Sequence, residues 1–398
     1  MYKKLIAIVL LFCAVGAYAL EGYGAVNVLD FKDHVIAIGT DKEDWQPAIQ
    51  KAVAKAYATT RTLYFPAGTY NIQKALDFGR EPTQMYISGL TVNGDGRFTS
   101  IIKQNNPKEN CINWTGKTYK GSIQGGTINE MCILGGDIAL NTKWHTTFTM
   151  THCYVGSARI GVYAEGWGNH YMDFIIRHCS EAGFVGCAHF NGCTLRDAYL
   201  SRCGIGIKFD GGARGVCMAG IGIEHTVKCA MYIRLSLAIA ISECYFEGNA
   251  MEPVKGWAEN CSIWLDYGNN GISINGCIFR GTAKNCGHIV IGGGENIAIQ
   301  DNVDQIHWWG TDALIMLAHS SNPRFDTGIK GLKVENNNFC YGGRAAQPGP
   351  IDYRYFEREA GLFDKAVKDG AVFEGGKDFL RTITQAAQKD KTDAVDYE

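Results

Sequence analysis

Between residues 144 and 214 the chain carries a set of side chains suited to sugar chemistry: Glu165, Asp210, His145, His170, His189, Arg214, Asn191, Trp144 and Trp167. Inverting hydrolysis of a glycosidic bond needs two carboxyl groups roughly 6.5–9.5 Å apart, one as acid and one as base. Elimination from a uronate needs instead a cation at the carboxylate and a base for the ring proton; His, Tyr, Lys and Arg can serve. Indole faces stack on sugar rings while keeping a polar edge. These requirements make Glu165, Asp210, His170 and His189 the candidate catalytic residues. His145, Trp144, Trp167, Asn191 and Arg214 are the candidate substrate contacts. A second constellation is Glu243, Glu247, Arg280 and Gln305, which also reads as a surface ion-pair row. The segment 249–260 carries Glu252 and Trp257 and could overhang a groove, and His307-Trp308-Trp309 is a further aromatic feature.

Such residues converge only if a scaffold repeats them at one phase. From about residue 86 an apolar residue recurs, followed by a turn and then a small or amide residue. Met150-Thr-His-Cys153, Ile176-Arg-His-Cys179, Ile241-Ser-Glu-Cys244 and Ile274-Asn-Gly-Cys277 are the clearest copies. Looser ones begin at Val92, Ile128, Leu195, Ile221, Ile299 and Val334. Units of this length, built of short extended pieces and Gly or Asn turns, are coils of a β-solenoid. About ten coils are expected over 86–343. Counting twelve residues on from Cys153, Cys179 and Ala198 puts Glu165, Asn191 and Asp210 at one phase, so the two carboxylates lie two coils apart, about 9–10 Å along the axis.

Cys153, Cys179, Cys244 and Cys277 share one slot, continued by Asn302 and Asn337. Stacked residues in a parallel column lie about 4.8 Å apart, whereas disulfide Cβ atoms approach to about 3.8 Å. Most of these cysteines therefore read as small buried residues in an interior column. Cys187-Ala-His189 with Cys193 lacks paired CxxC spacing and is a poor zinc site. The glycines at 292–294 have no P-loop lysine after them. No metal is called for; calcium is possible, but no cluster of aspartates makes it evident.

Residues 1–19 have the form of a signal peptide: Lys3 and Lys4, an apolar run from Leu5 to Val15, then Ala17-Tyr18-Ala19 with cleavage expected after Ala19. Export to periplasm, cell surface or medium follows, without a membrane span. The 38 Lys and Arg balance 40 Asp and Glu, which argues against a dedicated nucleic-acid binder with its basic stripe. Residues 20–85 form a capping module: Asp44 caps a helix running to about Ala58, Ile49, Ala52, Val53 and Ala56 line its apolar face, and strands follow at Thr62 and Tyr70. Residues 344–398 read as a C-terminal cap, helical over Tyr353–Lys368 and Lys377–Lys389, and a loose tail.

The order Val26-Asn27-Val28-Leu29-Asp30-Phe31, Ala48-Ile49-Gln50-Lys51-Ala52-Val53 and Tyr64-Phe65-Pro66-Ala67-Gly68-Thr69-Tyr70 resembles the pectate-lyase-superfamily β-helix proteins, which include rhamnogalacturonase-like and exo-polygalacturonase-like enzymes and tailspikes. Ile241–Asn249 looks like a coil of the same group. The resemblance implies an all-β, right-handed parallel β-helix acting on a polysaccharide, as monomer or trimer. The Asn-Thr-Asp, Asp-Asp and Gly-His-Gly set of polygalacturonases is absent, and Gly287-His288-Ile289 is only a fragment of it. The expected function is cleavage of a pectin-like or other acidic glycan by hydrolysis or β-elimination. The alternative is a non-catalytic glycan-binding surface protein or tailspike-like adhesin.

Overall fold

The computed structural model describes residues 24–79, 87–118, 121–250, 261–282, 287–306, 313–317, 328–341, 355–357 and 362–373. The expected signal peptide, the second C-terminal helix, Glu252, Trp257 and His307-Trp308-Trp309 lie outside them. Helix α1 (Gln46–Ala58) follows Asp44, whose carboxylate accepts from Gln46 N at 3.0 Å and from Gln73 N at 3.2 Å. Pro47 stands in its first turn, where no intrahelical donor is needed. Ala48, Ile49, Ala52, Val53 and Ala56 bury one face over the first coils, as the periodicity predicts. A 3₁₀ helix at Val28–His34, capped by the Asn27 side chain, has no counterpart in that reading.

Among the described residues every strand pairing in the solenoid is parallel, and each coil contributes short strands to three faces. Sheet A stacks Leu63, Val92, Ile128, Met150, Tyr171, Leu195, Met218, Ile241, Ile274, Ile299 and Val334 in one inward column. Sheet B stacks Tyr70, Ile102, Ile133, Val155, Ile176, Leu200, Ile223, Phe246 and Phe279. Sheet C stacks Ile112, Leu140, Val162, Phe184, Ile207, Met231, Ile263, Ile289 and Ile315. Together these columns form the core, and nearly all are fully buried.

Two members of the repeat are misplaced in the sequence reading. Tyr171, not Ile176, follows Met150, and Met218, not Ile221, precedes Ile241. Coil lengths from Met150 to Ile241 are therefore 21, 24, 23 and 23 residues rather than 26, 19, 26 and 20. Cys153 consequently stacks on Phe174, and Cys179 sits one turn later, beside Cys203. The slot itself continues through Ala198, Ile221, Cys244, Cys277, Asn302 and Asn337. Cys153, Cys179, Cys244 and Cys277 are free thiols. Burial pushes Cys153 up to about 12, so it stays a protonated, weakly polar core group.

At the far end, Tyr355–Glu357 is a strand paired with Ala313–Leu317, and Val372–Phe373 pairs with Lys333–Val334. Of the helix expected over Tyr353–Lys368, Tyr355–Glu357 is a strand and Leu362–Lys368 is helical. Parallel pairing thus runs past residue 343, where the solenoid was expected to stop.

Asn302 shows what the amide slot does. Its Oδ1 accepts from Cys277 N at 2.9 Å, and its Nδ2 donates to Ile274 O at 3.1 Å and to Asn337 Oδ1 at 2.9 Å. The side chain is fully buried. Asn302→Ala leaves backbone groups of the preceding coil without partners, so a loss of about 2–4 kcal/mol is expected. Urea denaturation measures it; a change below about 0.5 kcal/mol would show the ladder to be dispensable.

Candidate functional site

Sheet C faces outward with two columns of polar and aromatic side chains. One runs Asn113, Asn141, Tyr163, Val185, Lys208, Tyr232 and Trp264. The other follows two residues later: Lys143, Glu165, Cys187, Asp210, Arg234 and Asp266, with Asp210 and Arg234 directly in register. Strand alternation produces both, because positions two apart share a face. From Ala164 on, the interior residue between them is apolar or tiny, and before it Thr142 bonds the Tyr171 hydroxyl inside the core. At Gly186 a Cβ would fall 2.8 Å from Phe190 and 2.9 Å from Phe209, so those rings fill the space a side chain would need.

The second column is a chain of ion pairs and hydrogen bonds. Lys143 Nζ lies 3.6 Å from Glu165 Oε1, to which the Tyr163 hydroxyl donates at 2.8 Å. Arg234 donates through Nε to Asp210, and Lys208 Nζ is 3.6 Å from the same carboxylate. The Tyr232 hydroxyl donates to Asp266 at 2.9 Å, while Arg234 reaches the Tyr267 hydroxyl at 3.0 Å and covers its ring. Burial, then Cys187 and Glu165 beside it, holds the Tyr163 phenol well above its usual range, so it remains a donor. Glu165 is only 5% exposed, whereas Asp210 opens onto a cleft of about 300 Å³. Lys208, Lys228, Cys229, Tyr232 and Trp264 line that cleft with it.

The expected site residues divide between this face and its surroundings. Glu165 and Asp210 do lie in one outward column, but Cys187 stands between them, not Asn191. Asn191 instead bridges Trp167 and Arg214 in the turn that leads to sheet A. A register shift between Thr142 and His145 sets both Lys143 and Trp144 opposite Glu165. Such a bulge re-aims the side chains after it. Trp144 swings outward onto the exposed His189 ring, centroids 5.2 Å apart. His145 swings inward: it is fully buried, 5.0 Å from Phe148 and 5.6 Å from Trp114, and is a core residue rather than a substrate contact. His170 is exposed but belongs to sheet A, between Thr149 and Thr194, and is not part of the sheet C face.

The second constellation does not converge. Glu247 and Arg280 form a surface pair at 3.2 Å on sheet B, and Glu243 sits at a corner in left-handed backbone conformation. Cys193 is buried with its thiol toward Asn191 O, while His189 faces solvent, so the imagined Cys–His set is split between inside and outside.

Sequence reasoning missed Lys143, Cys187, Lys208, Lys228, Tyr232, Arg234, Trp264 and Asp266. A signal was present: Tyr163-Ala-Glu165, Lys208-Phe-Asp210, Tyr232-Ile-Arg234 and Trp264-Leu-Asp266 repeat a large polar or aromatic residue, a core residue and a charge.

Burial depresses His145 to about 4 from an ordinary 6.5. Its imidazole is neutral when folded, while the unfolded chain takes up a proton below about pH 6.5. The associated stability is complete above that pH and is lost as pH falls toward 4, by about 3 kcal/mol at most. Denaturation at pH 7 and pH 4.5 is expected to show a fall that His145→Leu reduces. An unchanged slope in the variant would place the acid sensitivity elsewhere.

Residues 25–122 match the family model described as rhamnogalacturonase A/epimerase, pectate lyase-like. Residues 137–304 match the model for the right-handed β-helix region. Among solved structures the chain is similar to the DFA-IIIase of Arthrobacter chlorophenolicus A6 without its lid, in complex with GF2 (TM-score 0.55, 12% identity, 81% of this chain and 100% of that one). It is likewise similar to the mannuronan C-5 epimerase A-module of Azotobacter vinelandii (TM-score 0.53, 13% identity, 80% and 96%), and to the Dettilon tailspike protein (TM-score 0.53, 14% identity, 79% and 68%). No curated protein matches the chain by sequence. At these identities the likeness is one of fold.

Proposed function

Because the chain belongs to the pectate-lyase-like right-handed parallel β-helix proteins, we propose that it is an exported carbohydrate-active enzyme whose site is the outward face of sheet C. One observation carries this reading: Glu165 and Asp210 share an outward column, separated by the single small side chain of Cys187, next to the cleft lined by Tyr232 and Trp264. Two coil spacings set their backbones about 9–10 Å apart. That backbone spacing is near the upper end of the carboxyl separation that leaves room for a water, as inversion requires.

In this mechanism Asp210, bonded by Arg234 and faced by Lys208, acts as base toward water. Glu165, enclosed by Tyr163 and Lys143, takes up a proton from solvent in exchange for its pairing with Lys143 and delivers it to the leaving oxygen. Trp264 and Tyr232 offer ring edges to the sugar, and Lys208 and Lys228 favour an acidic glycan. The same two lysines support a second reading, β-elimination, with one neutralising a uronate and the other removing the ring proton.

Glu165→Gln and Asp210→Asn are each expected to lower product release from an acidic polysaccharide by about 10²–10⁴-fold with the fold intact, since that is the range general acid–base groups supply. Reducing-end assays on a pectin panel measure it. Products absorbing as unsaturated uronates would replace hydrolysis by elimination. Glycan binding without any product would leave a non-catalytic adhesin.

A further inference from the structure

The corner between sheets A and B lies across the prism from the sheet C cleft. Each coil bends there at one residue in left-handed conformation: Glu130 (φ 56°), His152 (φ 50°), Asp173 (φ 44°) and Asp197 (φ 53°) occur in successive coils. A short loop, Asp95–Thr99, springs from the coil before Glu130 and lies along this corner. Arg97 at its centre reaches Asp173 with two nitrogens, at 2.9 and 3.5 Å. His152 is fixed to the same carboxylate, Nε2 to Oδ2 at 3.1 Å, with Thr151 Oγ1 at 3.1 Å from its Nδ1.

The loop base is fastened as firmly. Asp95 accepts from the Tyr64 hydroxyl at 2.5 Å and from Ala67 N at 2.8 Å, and Thr99 N and Ser100 N both return to Gly96 O. The outcome of this bracing is unusual: Phe98 at the tip is 63% exposed, the most open large apolar side chain among the described residues. Its ring lies beside that of Tyr154, with centroids 5.6 Å apart and planes tilted by 55°. A rigid loop that presents an aromatic face to solvent has already spent the entropy of ordering, which lowers the cost of binding.

We infer that this corner is a second glycan-binding site, distinct from the sheet C cleft, and that it takes a neutral sugar. The Phe98 ring and the Tyr154 ring beside it supply apolar area for a pyranose ring, as aromatic residues with polar neighbours do. The planar groups of Arg97, His152, Asp173 and Glu130 supply donors and acceptors for hydroxyls around it. The two carboxylates against a single arginine disfavour a uronate here, whereas the lysines of the sheet C cleft favour one. One molecule would then hold a heteropolymer or cell-wall matrix at one edge while its other face engages an acidic segment.

Affinity electrophoresis through gels holding galactan, arabinan, xylan or dextran, and separately polygalacturonate, tests this on the full chain. Wild type is expected to be retarded by at least one neutral polymer. Phe98→Ala should weaken that retardation at least tenfold, and Phe98→Tyr should preserve it. Asp210→Asn should leave it unchanged, which separates this site from the sheet C reading. No retardation by any neutral polymer, or retardation that Phe98→Ala leaves intact, overturns the proposal. So would a wild-type oligomer in solution that Phe98→Ala dissociates, because the patch would then be a contact between copies of this chain.

Discussion

Everything in this molecule depends on the parallel hydrogen bonds that join each coil to the next. They hold equivalent residues about 4.8 Å apart along the axis, so any side chain meets the same position of its neighbours above and below. The inward column of sheet A is accordingly filled by large, mainly apolar side chains, Met150, Tyr171, Leu195 and Met218, and the one hydroxyl among these, of Tyr171, is matched by Thr142. The backbone of each turn must also find partners inside the stack, where no water reaches. Asn302 and Asn337 meet that demand with their amides, and Cys153, Cys244 and Cys277 direct their thiols to nearby carbonyls.

The same spacing shapes the outward face of sheet C. Like charges stacked at one coil spacing repel, and opposite ones attract at a distance where surface pairs gain up to about 1 kcal/mol. The column accordingly places Lys143 on Glu165 and Arg234 on Asp210, and it closes Asp266 with a tyrosine hydroxyl. Cys187 interrupts it. It is the one position between the first and last members of that column with neither a charge nor a large side chain, and it lies between the two carboxylates. The gap is thus a consequence of which residue fills one slot, not of any departure from the fold.

Much of this was legible in the sequence because the solenoid is periodic. Helix α1, the amide slot, the interior role of the cysteines and the shared column of Glu165 and Asp210 all follow from counting. The errors have physical causes. Ile176-Arg-His-Cys179 imitates Met150-Thr-His-Cys153, yet it belongs to the next turn, because consecutive turns of one coil obey similar rules: an apolar strand end, a left-handed residue and a small buried one. Tyr171 escaped notice because an aromatic occupies a column otherwise aliphatic. His145 was placed outward beside Trp144 because one bulge reverses inside and outside, and no residue type announces a bulge. Lys208, Tyr232 and Trp264 were overlooked because their repeat is one of position, not of identity.

That last point explains why family likeness reaches so much further for the fold than for the chemistry. Stacking constrains Phe184 and Ile207 to be apolar and Gly186 to be small, since each faces the core. It leaves the residues between and beyond them almost free: Val185 and Cys187 in one coil correspond to Lys208 and Asp210 in the next. A pair of outward substitutions in one coil can therefore turn an inert surface into a charged cleft without disturbing the interior. Structures with 12–14% identity to this chain can share its coils while differing at every such position. In a solenoid the scaffold is written in inward columns and the activity in outward ones, so the activity has to be argued from side chains such as Glu165, Asp210 and Trp264 themselves.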